Sequence, residues 1–154
     1  MSNLSPLEIA RLNEFGESDA WVNFYQCAPE KFKREYRLET RQVGSLWVTM
    51  IPALDWTFFN RITCMGIAEK ASEAMLDDAL AVLAKAGNKN YMAQVSPLAE
   101  PPEINKWLAA RGFEYRSSWA KVYRDNRPAP VIATDLWLEI IDKKKASAFA
   151  DVAI

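Results

Sequence analysis

Residues 72–96, SEAMLDDALAVLAKAGNKNYMAQVS, encode an amphipathic helix followed by a buried strand. The apolar residues of the first part recur at helical spacing: Met75, Leu76, Ala79, Leu80 and Leu83. Gly87 stands where a left-handed C-cap would end such a helix. We therefore predict a helix over 70–86 and a strand over 90–96, a pair typical of α/β proteins.

Two strands are predicted before this helix, in SLWVTMIP (45–52) and WTFFNRITCMG (56–66). Both are rich in β-branched and large apolar residues, and both follow or contain turn signals. A turn is predicted around Gly44, ahead of the first strand.

Helical signals dominate the first 36 residues. Ser5 and Pro6 can begin a helix over 6–15, and Ser18-Asp19 can cap a second helix that Pro29 ends. A further helical turn is predicted over 30–36.

The chain after the central strand predicts a helix that opens at Pro101-Pro102-Glu103 and stops at Gly112. The alternating aromatic residues of 113–124 predict another strand. A mixed sheet flanked by helices is the architecture expected from this order of elements. Three parts of the chain are predicted. A domain over 1–126 is followed by a proline-containing linker over 127–133. In 134–154, TDLWLEII then predicts a strand and DKKKASAFADVAI predicts the start of a helix.

Charge and composition argue against several classes of partner and site. The 19 basic and 20 acidic residues give a net charge of −1, so no global field attracts nucleic acid or an anionic membrane. The chain has no histidine and its two cysteines match no metal-ligand spacing, which argues against a metal site. The start of the chain predicts no signal peptide, no stretch is apolar enough to span a membrane, and free cysteines favour a cytoplasmic location.

Residues 58–124 resemble the GNAT superfamily of acyl-CoA-dependent N-acyltransferases. The sequence WLAARGF (107–113) is similar to the helix that ends in a Gly-Phe pair in that family, and the predicted helix and strand over 70–96 precede it as they do there. The resemblance is closest to the first half of tandem GNAT proteins. It implies that residues 134–154 either begin a second GNAT-like unit or form a strand and a helix that pack back on the first domain. It implies a GNAT-like sheet, acetyl-CoA as cofactor, a small-molecule or peptide amine as acceptor, and a second GNAT domain or a homodimer as partner.

Two departures from the family pattern concern the chemistry. GNAT proteins bind the pyrophosphate of acetyl-CoA with Gln/Arg-x-x-Gly-x-Gly/Ala before the long helix, whereas MGIAEKASEAM (65–75) offers Gly66 alone and brings Glu69 and Glu73 to that junction. Leu108 aligns with the tyrosine that protonates the departing thiolate in many members. We therefore expect this chain alone not to hold acetyl-CoA, and the sequence identifies no catalytic residue.

Four residues are candidates for weak substrate contacts: Asn60, Gln94, Ser96 and Tyr123. The first three lie on the two strands that separate in GNAT proteins to admit the acyl group, and a tyrosine can donate a proton if it faces the cleft. Three carboxylates are candidate bases: Glu35, Glu39 and Asp55. The alternative role of Asn60, Gln94 and Ser96 is ordinary hydrogen bonding, that of Tyr123 is aromatic packing, and the three carboxylates could simply be solvated.

Three functions are compatible with this pattern. The first is a CoA-site-degenerate half of an acyltransferase, which needs a second domain for catalysis. The second is a stand-alone acetyltransferase with an unconventional CoA loop. The third is a non-catalytic binding or dimerisation module, because a fold does not fix a function.

Overall fold

The computed structural model describes residues 4–124, 127–128, 130–131, 133–137 and 139–153. The chain divides into two compact units, Met1–Tyr123 and Arg124–Ile154. In the described part of the chain, no helix is both long enough and apolar enough to cross a bilayer.

The first unit begins with one long helix, α1 (Pro6–Gln26). Ser5 and Glu8 form a capping box, with Ser5 Oγ accepting from the Glu8 N–H at 3.3 Å and Glu8 Oε2 accepting from the Ser5 N–H at 2.7 Å. The prediction of two helices, with a second cap at Ser18, is wrong. Ser18 lies on the buried face of one continuous helix, and its hydroxyl is hydrogen-bonded to that of Thr63 at 2.8 Å.

A four-stranded mixed sheet forms the centre of this unit. Its remaining helices and strands follow in chain order: α2 (Glu30–Tyr36), β1 (Glu39–Val43), β2 (Leu46–Met50), β3 (Arg61–Thr63), α3 (Glu73–Ala86), β4 (Met92–Ala93) and α4 (Ile104–Ala110). The strand order is β1-β2-β3-β4, with β1–β2 and β2–β3 antiparallel and β3–β4 parallel. The predicted α/β fold with a mixed sheet is confirmed, whereas the sequence does not predict β1.

The hairpin between β1 and β2 turns at Gly44, as predicted, with φ at +57°. A Cβ at this position would lie 2.7 Å from Met75 Cε, so both the backbone conformation and the space favour glycine.

The apolar core lies on the α3 side of the sheet. Ser72 caps α3 by accepting from the Met75 N–H, and Gly87, with φ at +87°, ends the helix as predicted. Side chains from α3, α4 and alternate positions of β2 form one cluster: Leu46, Val48, Met50, Leu76, Ala79, Leu83, Ile104 and Leu108. Because side chains alternate along a strand, the intervening residues of β2 and β3 face α1 on the other side.

The last two predicted strands differ most from the structure. The predicted strand over 90–96 is reduced to the two residues of β4, and residues 113–124 form no strand. Alternating aromatic residues favour a strand only where a partner edge supplies hydrogen bonds, and residues 113–124 join no strand of the sheet. The helix before them is confirmed as α4, with Gly112 (φ +83°) just after its end.

The second unit contains the helix α5 (Ala146–Ala153), preceded by a short 3-10 turn, Lys143–Lys145. The predicted helix near the end of the chain is therefore confirmed. The predicted strand over 134–141 is wrong for the described residues of that range, which pair with no other strand. Residues 129 and 132 of the predicted linker, 138 of the strand and 154 of the helix lie outside the described residues.

Candidate functional site

A fully buried arginine occupies the α1 face of the sheet. Arg61 is 0% exposed, and its Cζ lies 3.9 Å from the ring centroid of Trp21 and 4.2 Å from that of Phe58. Its Nε donates to the Phe58 carbonyl at 2.5 Å, and one terminal nitrogen donates to Glu17 at 3.2 Å and to Gln94 at 3.1 Å. The other terminal nitrogen is buried without a partner among the described residues.

The network around Arg61 extends to Lys121 in the segment 113–124. The Lys121 ammonium lies 2.5 Å from Glu14 Oε1 and 2.8 Å from Glu17 Oε2. Trp119 in the same segment packs against Phe58, with ring centroids 6.1 Å apart. Two cations thus oppose two carboxylates, and the cluster joins α1, β3, the end of β4 and this segment.

Ionisation in the network follows from these contacts. Burial disfavours the charged form of Glu17 and by itself would raise its pKa. The hydrogen bonds from Lys121 and Gln94 outweigh this effect, so the pKa of Glu17 is lowered. Burial also acts against the Lys121 ammonium, but the hydrogen bonds to Glu14 and Glu17 raise its pKa. Burial lowers the pKa of Arg61, which stays charged because guanidinium does not deprotonate in proteins. All three groups are therefore charged at neutral pH.

Neighbouring groups that could act in proton transfer are held neutral. Burial raises the pKa of Tyr25, whose hydroxyl donates to the carbonyl of Phe59. Burial also raises the pKa of the Cys64 thiol, which donates to the Glu14 carbonyl at 3.7 Å. A thiol of this kind is a weak nucleophile at neutral pH.

The parallel ladder between β3 and β4 is short. Two residue pairs are in register, Arg61 with Met92 and Ile62 with Ala93. The last main-chain hydrogen bond runs from the Gln94 N–H to the Ile62 carbonyl at 2.9 Å. Beyond this point the two strands no longer pair.

Main-chain hydrogen bonds of Glu100 join the loops that follow β3 and β4. The Glu100 N–H donates to the Gly66 carbonyl at 2.8 Å, and the Glu100 carbonyl accepts from the Ala71 N–H at 2.8 Å. Gly66 has φ at +70°, and a Cβ there would lie 2.4 Å from the Glu100 carbonyl oxygen. The Glu100 backbone therefore occupies the space beside the loop that leads into α3.

The start of α3 carries its own acidic residues. Glu73, the first residue of the helix, lies 2.9 Å from the Arg111 guanidinium, and Asp77 lies 2.5 Å from it. Hydrogen bonds to Asp77 and Glu73 raise the pKa of Arg111. The Glu73 carboxylate thus already occupies this helix start, paired with a cation.

A pocket of about 330 Å³ lies between α1, the β1–β2 hairpin and the loop after β3. We call it the α1 pocket; its lining includes Phe15, Asp19, Gln42, Ser45, Trp47 and Cys64. The hydroxyl of Ser45 is buried without a hydrogen-bond partner among the described residues. None of the four substrate-contact candidates lines this pocket. Its residues come from three separate segments, so no local sequence pattern indicates it.

The four predicted substrate contacts are not brought together. Asn60 is buried, and its side chain accepts from the Ile51 N–H at 2.8 Å and donates to the carbonyls of Trp56 at 3.0 Å and Asn90 at 3.1 Å. This amide has a full structural role, which leaves little capacity for a ligand.

The other three candidates have different surroundings. Gln94 belongs to the Arg61 network, where its amide also donates to Glu17 at 2.9 Å. Ser96 accepts from the Leu98 N–H at 3.3 Å and lines a second pocket of about 190 Å³. Tyr123 is 64% exposed.

Two of the three candidate bases are engaged elsewhere. Asp55 accepts from the N–H groups of Lys89 at 2.8 Å and Asn90 at 3.0 Å, and these backbone hydrogen bonds lower its pKa. Glu39 pairs with Arg41 at 2.8 Å. A lowered pKa makes Asp55 a poor base at neutral pH. Glu35 is exposed on α2.

Within the described residues, no group of three acidic or cysteine side chains is arranged to hold a metal ion. No protein-family model, curated protein or solved structure matches the chain.

Proposed function

We propose that this chain is a GNAT-like acyltransferase domain whose own acyl-CoA groove is closed, and that it supports an acyltransferase whose CoA site lies in a second domain. The topology of the first unit supports the proposal. Two antiparallel strand pairs are followed by a parallel pair, β3–β4, whose crossover connection is the long helix α3. In the resembled family a long helix and a strand likewise precede the helix that ends in a Gly-Phe pair.

The main support is the pair of hydrogen bonds made by the Glu100 backbone. A cofactor that enters between two diverging parallel strands needs free main-chain groups beside the loop into the following helix. Here the Ala71 N–H and the Gly66 carbonyl are both bonded to Glu100. Acetyl-CoA would have to break both bonds before it could bind there.

The charges at the start of α3 support the same proposal. Glu73 is paired with Arg111, and Glu69 is exposed in the loop before the helix. A pyrophosphate would meet carboxylates where the resembled family has small residues. A pyrophosphate would have to displace Glu73 from Arg111, and it would meet the exposed Glu69 carboxylate as a like charge.

Catalytic groups are also scarce on the α1 face. The carboxylates of Glu14 and Glu17 are paired with Lys121, and the Cys64 thiol is buried with a raised pKa. Leu108, which aligns with the family's tyrosine, is buried in the apolar core. A role in shaping or stabilising a neighbouring active site fits these groups better than acid–base catalysis.

Isothermal titration calorimetry of the 154-residue chain with acetyl-CoA tests the proposal. We expect no saturable heat at acetyl-CoA concentrations up to about 1 mM, which sets a limit of about −4 kcal/mol on the binding free energy. A Kd in the micromolar range would contradict the closed groove and favour a stand-alone acetyltransferase. A coding sequence that continues into a Gln/Arg-x-x-Gly-x-Gly segment would support the role beside a second domain.

A further inference from the structure

We infer that the α1 pocket binds an uncharged aromatic amide, a flat ring that carries a carboxamide group. The inference rests on the lining of the pocket and does not depend on the proposed function. At about 330 Å³, the pocket has the volume of a small-molecule site.

The buried polar side chains of the lining are already hydrogen-bonded within the protein. The hydroxyls of Ser18 and Thr63 are 2.8 Å apart, and the Cys64 thiol donates to the Glu14 carbonyl at 3.7 Å. Ser18 and Cys64 form the buried part of the pocket wall. A polar ligand atom against this part would lose its water without gaining a new partner, so the inner part of the ligand should be apolar.

Two aromatic side chains of the lining favour a flat ligand. Phe15 comes from α1 and Trp47 from β2, so they reach the pocket from different elements. Aromatic rings attract one another in offset-stacked and edge-to-face arrangements, and these contacts add to the free energy of burial. A ligand with an aromatic ring gains such contacts as well as burial.

The exposed polar residues of the lining determine which group the ring carries. Asp19 and Gln42 are both exposed, and within the described part of the chain neither side chain makes a hydrogen bond or an ion pair. A carboxylate only accepts hydrogen bonds, whereas a glutamine amide both donates and accepts them. A carboxamide supplies a donor for Asp19 and an acceptor for the Gln42 amide.

Charged ligands match these two side chains less well. Asp19 is the only charged residue among the described residues that line the pocket, so it would repel a ligand carboxylate. An ammonium group has donors only and would leave the N–H groups of Gln42 without an acceptor. Its ion pair with an exposed carboxylate would contribute little to the affinity.

Titration with benzamide, followed by two-dimensional ¹H–¹⁵N NMR, tests the inference. We expect saturable shifts at the amides of Asp19, Trp47 and Cys64, with a Kd on the order of 1 mM for a ligand of this size. Acetophenone, in which a methyl group replaces the NH₂ group, should bind roughly fivefold more weakly because it has no donor for Asp19. Benzoate and benzylamine should also bind more weakly than benzamide.

Two variants and one control locate the site. Asp19→Ala should remove most of the preference for benzamide over acetophenone, and Ala68→Phe, at an exposed lining position, should fill the pocket and abolish the shifts caused by both ligands. Asp78→Ala, which replaces an exposed carboxylate on α3, should leave the affinities for both ligands unchanged. The spectrum of each variant reports whether it is folded.

Equal affinity of the unchanged chain for benzamide and acetophenone would overturn the inference, as would tighter binding of benzylamine than of benzamide. No saturable shift at about 10 mM benzamide, or shifts confined to residues outside the pocket, would overturn it as well. So would a preference for benzamide that survives Asp19→Ala. None of these results bears on the acetyl-CoA titration, so this inference and the proposed function can fail separately.

Discussion

Arg61 is the residue on which the α1 face of the sheet depends. A buried guanidinium is strongly destabilising unless its charge is paired and most of its donors find acceptors, and one terminal nitrogen of Arg61 lacks a partner among the described residues. Glu17 supplies the charge, Gln94 and the Phe58 carbonyl accept hydrogen bonds, and two aromatic rings cover its faces. The sequence suggests no such role, since RIT (61–63) has the pattern of an ordinary strand.

Replacing Glu17 should destabilise the first unit. Removing one partner of a fully buried ion pair costs roughly 3–5 kcal/mol, but the Glu17 side chain is 25% exposed, so we expect about 2 kcal/mol for Glu17→Gln at pH 6.5. Urea unfolding followed by circular dichroism measures this change. Glu114→Gln, at an exposed position, is the matched control and should change the free energy of unfolding by less than about 0.5 kcal/mol.

The same comparison has a predicted pH dependence. Because the pKa of Glu17 is lower in the folded chain than in the unfolded chain, its stabilisation is complete above the ordinary value of about 4.3 and is lost as the pH falls through the folded-state pKa. The difference in unfolding free energy between the unchanged chain and Glu17→Gln should therefore shrink between pH 6.5 and pH 3.5. A difference that stays constant would contradict the assigned ionisation.

Among the elements, the loop from β3 to α3 makes the two main-chain hydrogen bonds to Glu100, and α1 forms one wall of the α1 pocket. Gly66 allows the Glu100 backbone to approach the loop, whereas a Cβ added at Gly16, within α1, would meet no neighbouring atom within 4 Å. The two glycines therefore differ in their structural importance, although the sequence alone does not distinguish them.

Alanine substitution at these two glycines should have opposite effects. Gly66→Ala combines a left-handed φ with a backbone clash, so we expect it to destabilise the fold by more than about 2 kcal/mol. Gly16→Ala removes a flexible residue from the interior of α1 and should stabilise it by about 0.5–1 kcal/mol. Thermal unfolding measures whether each variant is more or less stable than the unchanged chain. A Gly66→Ala variant of unchanged stability would argue that the Glu100 backbone does not pack closely against this loop.

Some elements are predictable because their signals are local. The apolar spacing and the Gly87 cap of α3 are both local in sequence, so they predict that helix without knowledge of its neighbours. By contrast, β1 has the polar sequence ETRQV and exists as a strand through its pairing with β2. Ser18 suggests a helix cap because capping residues and buried hydroxyls look alike in sequence, and only the contact with Thr63 separates them.

The candidate site is less predictable than the fold. Polar residues in strands often contact substrate, which is the basis for predicting such contacts at Asn60 and Gln94. In the structure their side chains hydrogen-bond within the protein, and substrate contact by these residues stays a prediction. The α1 pocket depends on contacts between α1 and a segment more than 40 residues away, for which a single sequence carries no signal.

For the molecule as a whole, the core cluster that the described residues form lies in the unit Met1–Tyr123. Within that unit, the segment 113–124 has no regular secondary structure. Beyond Phe113, the described contacts that tie it to the rest of the unit are made by Trp119 and Lys121.

A chain ending after Tyr123 should therefore keep its stability. A chain ending after Glu114 should lose about 2 kcal/mol, because Glu14 and Glu17 lose their cation and Arg61 loses part of its aromatic cover. Urea unfolding of the two truncated chains beside the full chain measures both effects. An equal loss in the two truncated chains would instead assign the stabilisation to residues 124–154.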